Sequence, residues 1–207
     1  MKIVAIGGSP RANGNSNSLL RTAVDAAVER GATAEYFYPS KMKIAGCLGC
    51  DGCRRTPDAV CVQNDDMHLL YPALKECDVV VLASPVYFYA LSSWIKAVLD
   101  RCYALITPGP EDAGEPWPAR VAPGKGFYLI TTQAEESPFY GYQILAGLVY
   151  GFTWTDIALR GHLIATALDG AHDWESRVDL ITAARELVAV GQGQGDPTGQ
   201  EPRRRSG

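Results

Sequence analysis

The chain begins with a short apolar segment, which passes through a polar loop into an amphipathic pattern. The segment Lys2–Ile6 is largely apolar and ends in Gly7 and Gly8, as expected of a strand that is buried on both faces of a parallel sheet. Beyond the loop, apolar residues recur at helical spacing and predict a helix over about Ser16–Arg30. A strand, a loop and a helix in this order favour folds in which helices cover a parallel sheet.

The same alternation of strand and helix continues along the chain. Strands are predicted at Thr33–Tyr38, Asp78–Ala83, Phe127–Thr132 and Ile157–Thr166, with helices at about 65–76, 91–104, 139–152 and 174–190. Right-handed crossovers between such units predict an α/β, flavodoxin-like three-layer sandwich with a five-stranded parallel sheet in the order 2-1-3-4-5. In that order, ligands bind outside the carboxyl ends of strands one and three.

A single domain accounts for the length of 207 residues. We expect it to span residues 1–190, including a cysteine-containing loop at 44–64. Residues 191–207 are rich in Gly, Gln and Pro and are expected to form a disordered tail. The prolines between 107 and 125 predict a long loop of the kind that often covers a site.

Charge and hydropathy disfavour several classes of function. The net charge is −4, and the only cationic run, Arg203–Arg205, lies in the expected tail, so nucleic acid is not an expected partner. No apolar stretch approaches the ~18 residues that cross a bilayer, and the start of the chain lacks the pattern of a secretory signal. We therefore expect a cytoplasmic protein with no membrane partner. The apolar segment Phe139–Phe152 predicts a buried or interface helix, and with it a homodimer or higher homo-oligomer.

The loop Ser9–Ser16 has the chemistry of a phosphate site. A helix N-terminus offers unpaired N–H groups, the hydroxyls of Ser9 and Ser16 can donate hydrogen bonds, and Arg11 offsets negative charge. The loop matches neither G-x-x-x-x-G-K-[ST] nor G-x-G-x-x-G. This disfavours nucleoside triphosphate hydrolysis and a dinucleotide, and it leaves a mononucleotide. A turn rich in Gly, Asn and Ser before a capped helix explains the same residues without a ligand.

A second candidate feature follows the third predicted strand. Ser84–Tyr89 is an aromatic-rich turn that can line a flat apolar ring such as an isoalloxazine. A hydrophobic turn that packs on the core is the alternative interpretation. The sheet order predicts that this turn and the loop Ser9–Ser16 lie at the same edge.

Together these segments resemble a known family. G-S-P-R-x-x-G-N-S after strand one, S-P-V-Y after strand three and K-A-V-L-D-R on the next helix are similar to the NAD(P)H-dependent FMN reductase group of flavodoxin-like proteins, over about residues 1–135. The sequence departs from the family at Tyr89, Ala90 and Leu91, where small, Gly-rich residues are more common. The resemblance implies three sets of FMN-binding residues: Ser9, Arg11, Asn15 and Ser16 at the phosphate, Pro85, Val86, Tyr87 and Phe88 along the ring, and Thr132 and Gln133 at its other edge.

Four cysteines lie close together at Cys47, Cys50, Cys53 and Cys61. In a reducing compartment this spacing favours metal, cluster or redox chemistry over a disulfide framework. Four thiolates suffice for a [4Fe–4S] cluster, zinc accepts the same ligands, and free or redox-active thiols are a third explanation. With Asn64–Met67 after it, the arrangement resembles the iron–sulfur flavoprotein branch of the same family, which implies a [4Fe–4S] cluster on these cysteines.

Other candidate residues have simpler explanations. Cys77 and Cys102 are expected to be buried core thiols, and capping of the next helix accounts for Asp65 and Asp66. We assign no acid–base pair as catalytic, because hydride exchange at a flavin does not require one.

The leading hypothesis is an FMN-dependent oxidoreductase with a [4Fe–4S] cluster. It passes electrons between a two-electron compound such as NAD(P)H at the flavin and a one-electron small-molecule or protein partner. The second hypothesis is a cluster-free NAD(P)H-dependent FMN reductase that acts on quinones, nitro compounds or flavins. The third is a non-enzymatic electron carrier of flavodoxin type, which binds FMN without turnover of NAD(P)H.

Overall fold

The computed structural model describes residues 1–55, 60–106, 120–152 and 157–190, so most of the predicted loop at 107–125 and all of the predicted tail at 191–207 lie outside it. The strands are β1 (Lys2–Gly7), β2 (Thr33–Phe37), β3 (Val79–Tyr87), β4 (Ala90–Leu91), β5 (Gly126–Thr132) and β6 (Ala158–Ala165). The α-helices are α1 (Asn15–Glu29), α2 (Met67–Glu76), α3 (Ser93–Arg101), α4 (Phe139–Phe152) and α5 (Val178–Leu187). Among these residues, no helix is both long and apolar enough to cross a bilayer.

The parallel strands form one sheet in the order β2-β1-β3-β5-β6. Numbered among themselves, these strands have the predicted order 2-1-3-4-5, so the α/β flavodoxin-like fold is confirmed. The chain changes direction between β1 and β3, which pair through Ile3–Gly7 and Val79–Ala83. The carboxyl ends of these two strands therefore lie side by side, at the edge where this fold binds ligands.

Side chains of β1 alternate between two apolar layers. Ile3 and Ala5 belong to the layer that includes residues of α1 and α5, whereas Val4 and Ile6 belong to the layer that includes residues of α2 and α3. Successive Cβ atoms of a strand point to opposite faces of the sheet. A strand covered on both faces therefore needs apolar residues at every position, which is why Lys2–Ile6 reads as a continuous apolar run.

β3 extends past its predicted end at Ala83, as far as Tyr87. The chain then turns back through Phe88 and Tyr89 into β4, which pairs antiparallel with the end of β3. A two-residue hairpin loop usually carries Asn or Gly. Two aromatic residues in such a loop do not predict a hairpin, so the sequence pattern missed it.

The starts of two helices also differ from the predictions. α3 starts at Ser93 rather than near residue 91, because Leu91 belongs to β4 and the hydroxyl of Ser92 caps the helix. The last helix was predicted from residue 174. The chain instead forms a 3₁₀ turn at Asp173–Ser176 before α5 begins at Val178.

Candidate functional site

The loop between β1 and α1 contacts the segment that follows β3. The backbone N–H of Gly8 donates to the carbonyl oxygen of Ala83 at 2.8 Å, and the Ser92 hydroxyl donates to the Gly8 carbonyl oxygen at 2.8 Å. A larger residue does not fit at Gly8, because its Cβ would lie 2.3 Å from Ile95. The two features singled out in the sequence are therefore neighbours in space.

Asn17 fixes the shape of this loop. Its side-chain amide donates to the carbonyl oxygens of Ser9 and Arg11, both at 3.1 Å, and its Oδ1 accepts the Ser9 N–H at 3.3 Å. The hydroxyl of Ser40 adds a hydrogen bond to the Ser9 carbonyl oxygen at 3.2 Å. Sequence reasoning missed both residues. For Asn17, the available signal is an amide in the first turn of a helix, where such side chains bind nearby backbone groups.

The N-terminus of α1 starts directly after this loop. Gly14 is its N-cap residue and has no side chain to cap it, and the first turn contains no acidic residue. The first N–H groups of a helix have no intrahelical acceptor, and they form the positive end of the helix dipole. A helix start of this kind suits an anionic ligand.

The predicted phosphate residues lie together at this helix start. Ser9 and Ser16 are buried, whereas Arg11 is exposed. The Ser9 Oγ accepts the N–H of Arg11 at 3.2 Å. The hydroxyls of Ser16 and Thr132 share a hydrogen bond of 2.6 Å. The structure thus brings the phosphate loop to the end of β5, where the other edge of the ring was predicted.

The side chain of Asn15 has partners within the protein. Its Nδ2 donates to the Gly170 carbonyl oxygen at 2.8 Å, and its Oδ1 accepts the N–H of Trp174 at 3.2 Å. These bonds tie the start of α1 to the segment before α5, a contact that no sequence pattern indicated. Phosphate binding by Asn15 stays a prediction.

The residues predicted to line the ring lie on the hairpin between β3 and β4: Pro85, Val86, Tyr87 and Phe88. Phe88 is 98% exposed, so the tip of this turn does not pack on the core. Phe88 and Tyr89 have φ angles of 46° and 62°, in the left-handed region that bulky residues rarely adopt. Such conformations cluster at ligand sites. The Tyr89 ring packs against Tyr140 of α4, with centroids 4.3 Å apart.

Thr132 and Gln133 are both buried at the end of β5. The Gln133 Nε2 donates to the carbonyl oxygen of Ser137 at 2.6 Å. Its Oε1 is buried and has no hydrogen-bond partner among the described residues. A buried acceptor without a partner is costly. This oxygen therefore suits an N–H donor of a ligand, such as one on the edge of a flavin ring.

The cysteine loop lies between β2 and α2. Cys47 and Cys50 are exposed, and Cys53 and Cys61 are partly buried. The N–H of Gly49 donates to the Cys47 sulfur at 3.4 Å. Burial raises the pKa of the Cys53 thiol, and the nearby Cys61 and Cys47 raise it further. Across the described residues, however, no three His, Cys, Asp or Glu side chains are placed to hold a metal ion.

The two other cysteines are associated with the core. Cys77 is buried, as predicted, and burial raises the pKa of its thiol. Cys102 is only partly buried, although it packs against the apolar layer that includes Ile95 and Val98. Burial nevertheless raises the pKa of the Cys102 thiol to about 12, so Cys102 is a core thiol as predicted, although the residue as a whole is partly exposed where it follows the last turn of α3.

Capping of α2 does not account for Asp65 and Asp66, which corrects the prediction that capping alone explains them. Asp65 accepts the N–H of Met67 at 3.2 Å, but its two oxygens also accept hydrogen bonds from Arg101 at 2.8 and 2.9 Å. The Asp66 side chain makes no cap hydrogen bond and accepts the N–H of Lys43 at 2.7 Å. The physical reason is Arg101, whose buried charge needs a charged partner.

Acid should weaken this ion pair. Hydrogen bonds from Arg101 hold the pKa of the Asp65 carboxyl below its usual range. The pair therefore stabilises the fold above the usual carboxyl pKa, and this stabilisation is lost as the pH falls through the lowered pKa. Asp65→Asn leaves a buried guanidinium unpaired at neutral pH and should lower the free energy of unfolding by about 3–5 kcal/mol.

Thermal melts of wild type and Asp65→Asn, compared from neutral pH to about pH 3, check this expectation. The difference between the two proteins should narrow as the pH falls below the usual carboxyl pKa, because the unfolded chain then binds a proton that the ion pair with Arg101 keeps off the folded protein. Asp179→Asn is the control, because it breaks an exposed ion pair with Arg177. A difference that stays constant across this range would show that the Asp65 charge does not stabilise the fold.

Comparisons with related sequences match between about half and two thirds of the chain. Residues 1–139 match the NADPH-dependent FMN reductase family. An iron-sulfur flavoprotein of Methanocaldococcus jannaschii is 36% identical over 101 residues, which cover 49% of this chain and 51% of that protein. An iron-sulfur flavoprotein of Archaeoglobus fulgidus is 40% identical over 101 residues, covering 49% and 45%. The chain thus spans about half the length of these relatives.

Solved structures share the fold over almost the whole chain. The NAD(P)H:quinone oxidoreductase from Methanothermobacter marburgensis superposes with a TM-score of 0.64 at 13% identity, covering 90% of this chain and 94% of that one. At this identity the likeness establishes the fold alone. The family match extends over residues 1–139 of 207, and the chain therefore belongs to the NADPH-dependent FMN reductase family.

Proposed function

We propose that this protein binds FMN at the carboxyl edge of its sheet and uses it to accept electrons from NAD(P)H. The observation that carries the proposal is the uncapped N-terminus of α1, which follows a loop fixed by Asn17 and lies beside the segment after β3. Membership of the NADPH-dependent FMN reductase family supports the same conclusion.

The phosphate end of the site suits a phosphomonoester. The first N–H groups of α1 and the hydroxyls of Ser9 and Ser16 supply hydrogen-bond donors. Arg11 supplies a positive charge. Because this guanidinium is exposed, the free protein does not bear the cost of an unpaired buried charge.

The ring end of the site combines apolar and polar groups, as flat ligands require. Tyr87 and Phe88 present exposed aromatic surface, and the Gln133 Oε1 offers a buried acceptor. When bound, FMN supplies hydride and single-electron transfer. The chain binds and orients the flavin and tunes its electronic properties.

We also propose that Cys47, Cys50, Cys53 and Cys61 hold a [4Fe–4S] cluster, which passes single electrons to a small-molecule or protein partner. Four thiols on one loop match the ligands that such a cluster needs. The relatives from Methanocaldococcus jannaschii and Archaeoglobus fulgidus are described as iron-sulfur flavoproteins, which supports the proposal.

Cofactor analysis tests both proposals. Protein purified without oxygen should contain FMN, with iron and sulfide in equal amounts and no zinc, and it should oxidise NAD(P)H with a one-electron acceptor. FMN without iron would favour a reductase of quinones, nitro compounds or flavins. FMN without turnover of NAD(P)H would favour an electron carrier of flavodoxin type, and protein that binds no FMN would contradict the proposed function.

We further propose that α4 lies in a homodimer interface. The helix contains no charged residue, and Phe139, Tyr142 and Tyr150 on it are all more than half exposed. Large exposed apolar surfaces of this kind mark interaction sites.

A charge on this helix should dissociate the dimer. Ala146→Lys places an ammonium group at an exposed position of α4, and burying it in an interface would be costly. Light scattering after size exclusion should give a dimeric mass for wild type and a monomeric mass for the variant. Val178→Lys on α5, at a residue that is 71% exposed, should remain dimeric. A monomeric wild type would contradict the interface.

A further inference from the structure

We propose that Arg101 is a positioning residue, whose buried guanidinium clasps the two ends of the cysteine loop and fixes that loop relative to the flavin site. The inference rests on the proposed function, since it assigns FMN and the cluster to these two places. Arg101 sets the distance between these two places.

Arg101 connects the two ends of the loop directly. Its side chain is fully buried. One nitrogen, Nη1, donates to the carbonyl oxygen of Ala45 at 3.0 Å and to Asp65 at 2.8 Å, and Nη2 donates to Asp65 at 2.9 Å. Asp65 in turn accepts the N–H of Ala45 at 3.0 Å. Arg101 thus bonds both to Ala45, which lies before the four cysteines, and to Asp65, which lies after them.

Further hydrogen bonds close the base of the loop around this ion pair. The N–H of Asp66 donates to the Lys43 carbonyl oxygen at 3.0 Å, and the Asp66 carboxylate accepts the N–H of Lys43 at 2.7 Å. The side chain of Gln63 donates to the carbonyl oxygen of Gly46 at 3.0 Å. We call residues 43–46 and 63–66 the stem. The stem forms a closed base, and Arg101 joins it to α3.

The other end of α3 is tied to the flavin site. Ser92, its N-cap, donates through its hydroxyl to the carbonyl oxygen of Gly8 in the phosphate loop, at 2.8 Å. The N–H of Ser92 donates to the hydroxyl of Ser84, at the start of the predicted ring segment, at 2.9 Å. α3 has nine residues, which corresponds to a length of about 14 Å. A single rigid helix therefore links the phosphate loop to the stem.

The chemistry of the pair suits a role in position rather than in stability. Removing one partner is costly, because the other charge stays buried and unpaired, but the intact pair adds little net stability compared with apolar residues of similar size. A buried pair of this kind is better supported as a device that specifies one arrangement. Only arginine supplies a planar fork that binds a carboxylate with two parallel hydrogen bonds. Lysine keeps the charge at this position but cannot reproduce that geometry.

Two variants of the full chain separate a role of Arg101 in positioning the cysteine loop from a role in the stability of the fold. Arg101→Lys retains the positive charge and removes the fork. The double variant Arg101→Met with Asp65→Leu removes both charges, which is often neutral for stability. The control is Lys96→Met on the same helix, because the ion pair of Lys96 with Asp100 is exposed.

The experiment measures FMN affinity, the midpoint potential of the cluster and amide hydrogen exchange of the stem. We expect FMN affinity to stay within about twofold in all variants, because the phosphate loop is untouched. In both Arg101 variants, the cluster potential should shift, and the amides of Lys43 and Asp66 should exchange at least about tenfold faster. The control should match wild type in all three measurements.

Two outcomes are decisive in different ways. Arg101 variants that match the control in both cluster potential and stem exchange would overturn the positioning role. A wild-type protein that holds no iron would contradict the proposed cluster, and stem exchange would still decide whether Arg101 fixes the loop. Unchanged exchange in that protein would overturn the inference, whereas faster exchange would support it.

Discussion

Cys50→Ala is expected to abolish iron binding and to leave FMN in place. A cluster that loses one of its four thiolate ligands is not held securely, whereas the phosphate loop at Ser9–Ser16 belongs to a different segment, which Asn17 holds in shape. Cys50 is exposed, so its replacement should cost little folding stability. Iron analysis and the flavin absorbance of anaerobically purified protein measure the two effects.

Cys102→Ala is the matched control for this prediction. Cys102 lies outside the cysteine loop and packs against the core below α3. This variant should therefore keep both iron and FMN. Cys50→Ala should retain NAD(P)H oxidation with a two-electron dye and lose transfer to a one-electron protein acceptor. If wild type contains no iron and Cys50→Ala behaves identically to it, the cluster proposal is wrong and a simple FMN reductase takes its place.

The fold could be predicted because its signal is local and repeated. Lys2–Ile6 and Asp78–Ala83 are apolar at nearly every position because both faces of each strand are buried. The helix Phe139–Phe152 was predicted with the same bounds that the structure has. Once strands alternate with helices, right-handed crossovers leave few sheet orders, and the observed order is one of the commonest.

The parts that sequence patterns missed depend on contacts between distant residues or on unusual backbone. The ion pair of Asp65 and Arg101 joins residues 36 positions apart, and Asp65 alone reads as an ordinary helix cap. The bonds of Asn15 reach Gly170, 155 positions away. Phe88 adopts a left-handed conformation that aromatic residues rarely adopt, so propensity predicted no hairpin there. Departures of this kind are expected where a chain builds a site.

Arg11→Ala combined with Ser16→Ala should weaken FMN binding far more than riboflavin binding. Both side chains are assigned to the phosphate, which riboflavin lacks. A hydrogen bond to a charged group contributes roughly 1.5–3 kcal/mol, so two such losses correspond to about two decades or more in the dissociation constant. Titrations that follow the quenching of flavin fluorescence measure both ligands on the same protein.

Riboflavin also controls for damage to the site. Ser16→Ala removes the hydrogen bond to Thr132, and any resulting disorder at the end of β5 should affect both ligands alike. Arg185→Ala provides a second control, because it removes an exposed arginine that pairs with Glu29. Its affinity for FMN should match that of wild type. If the double variant loses affinity for FMN and riboflavin equally, Arg11 and Ser16 do not bind the phosphate, and the assignment of the loop between β1 and α1 as the phosphate site is wrong.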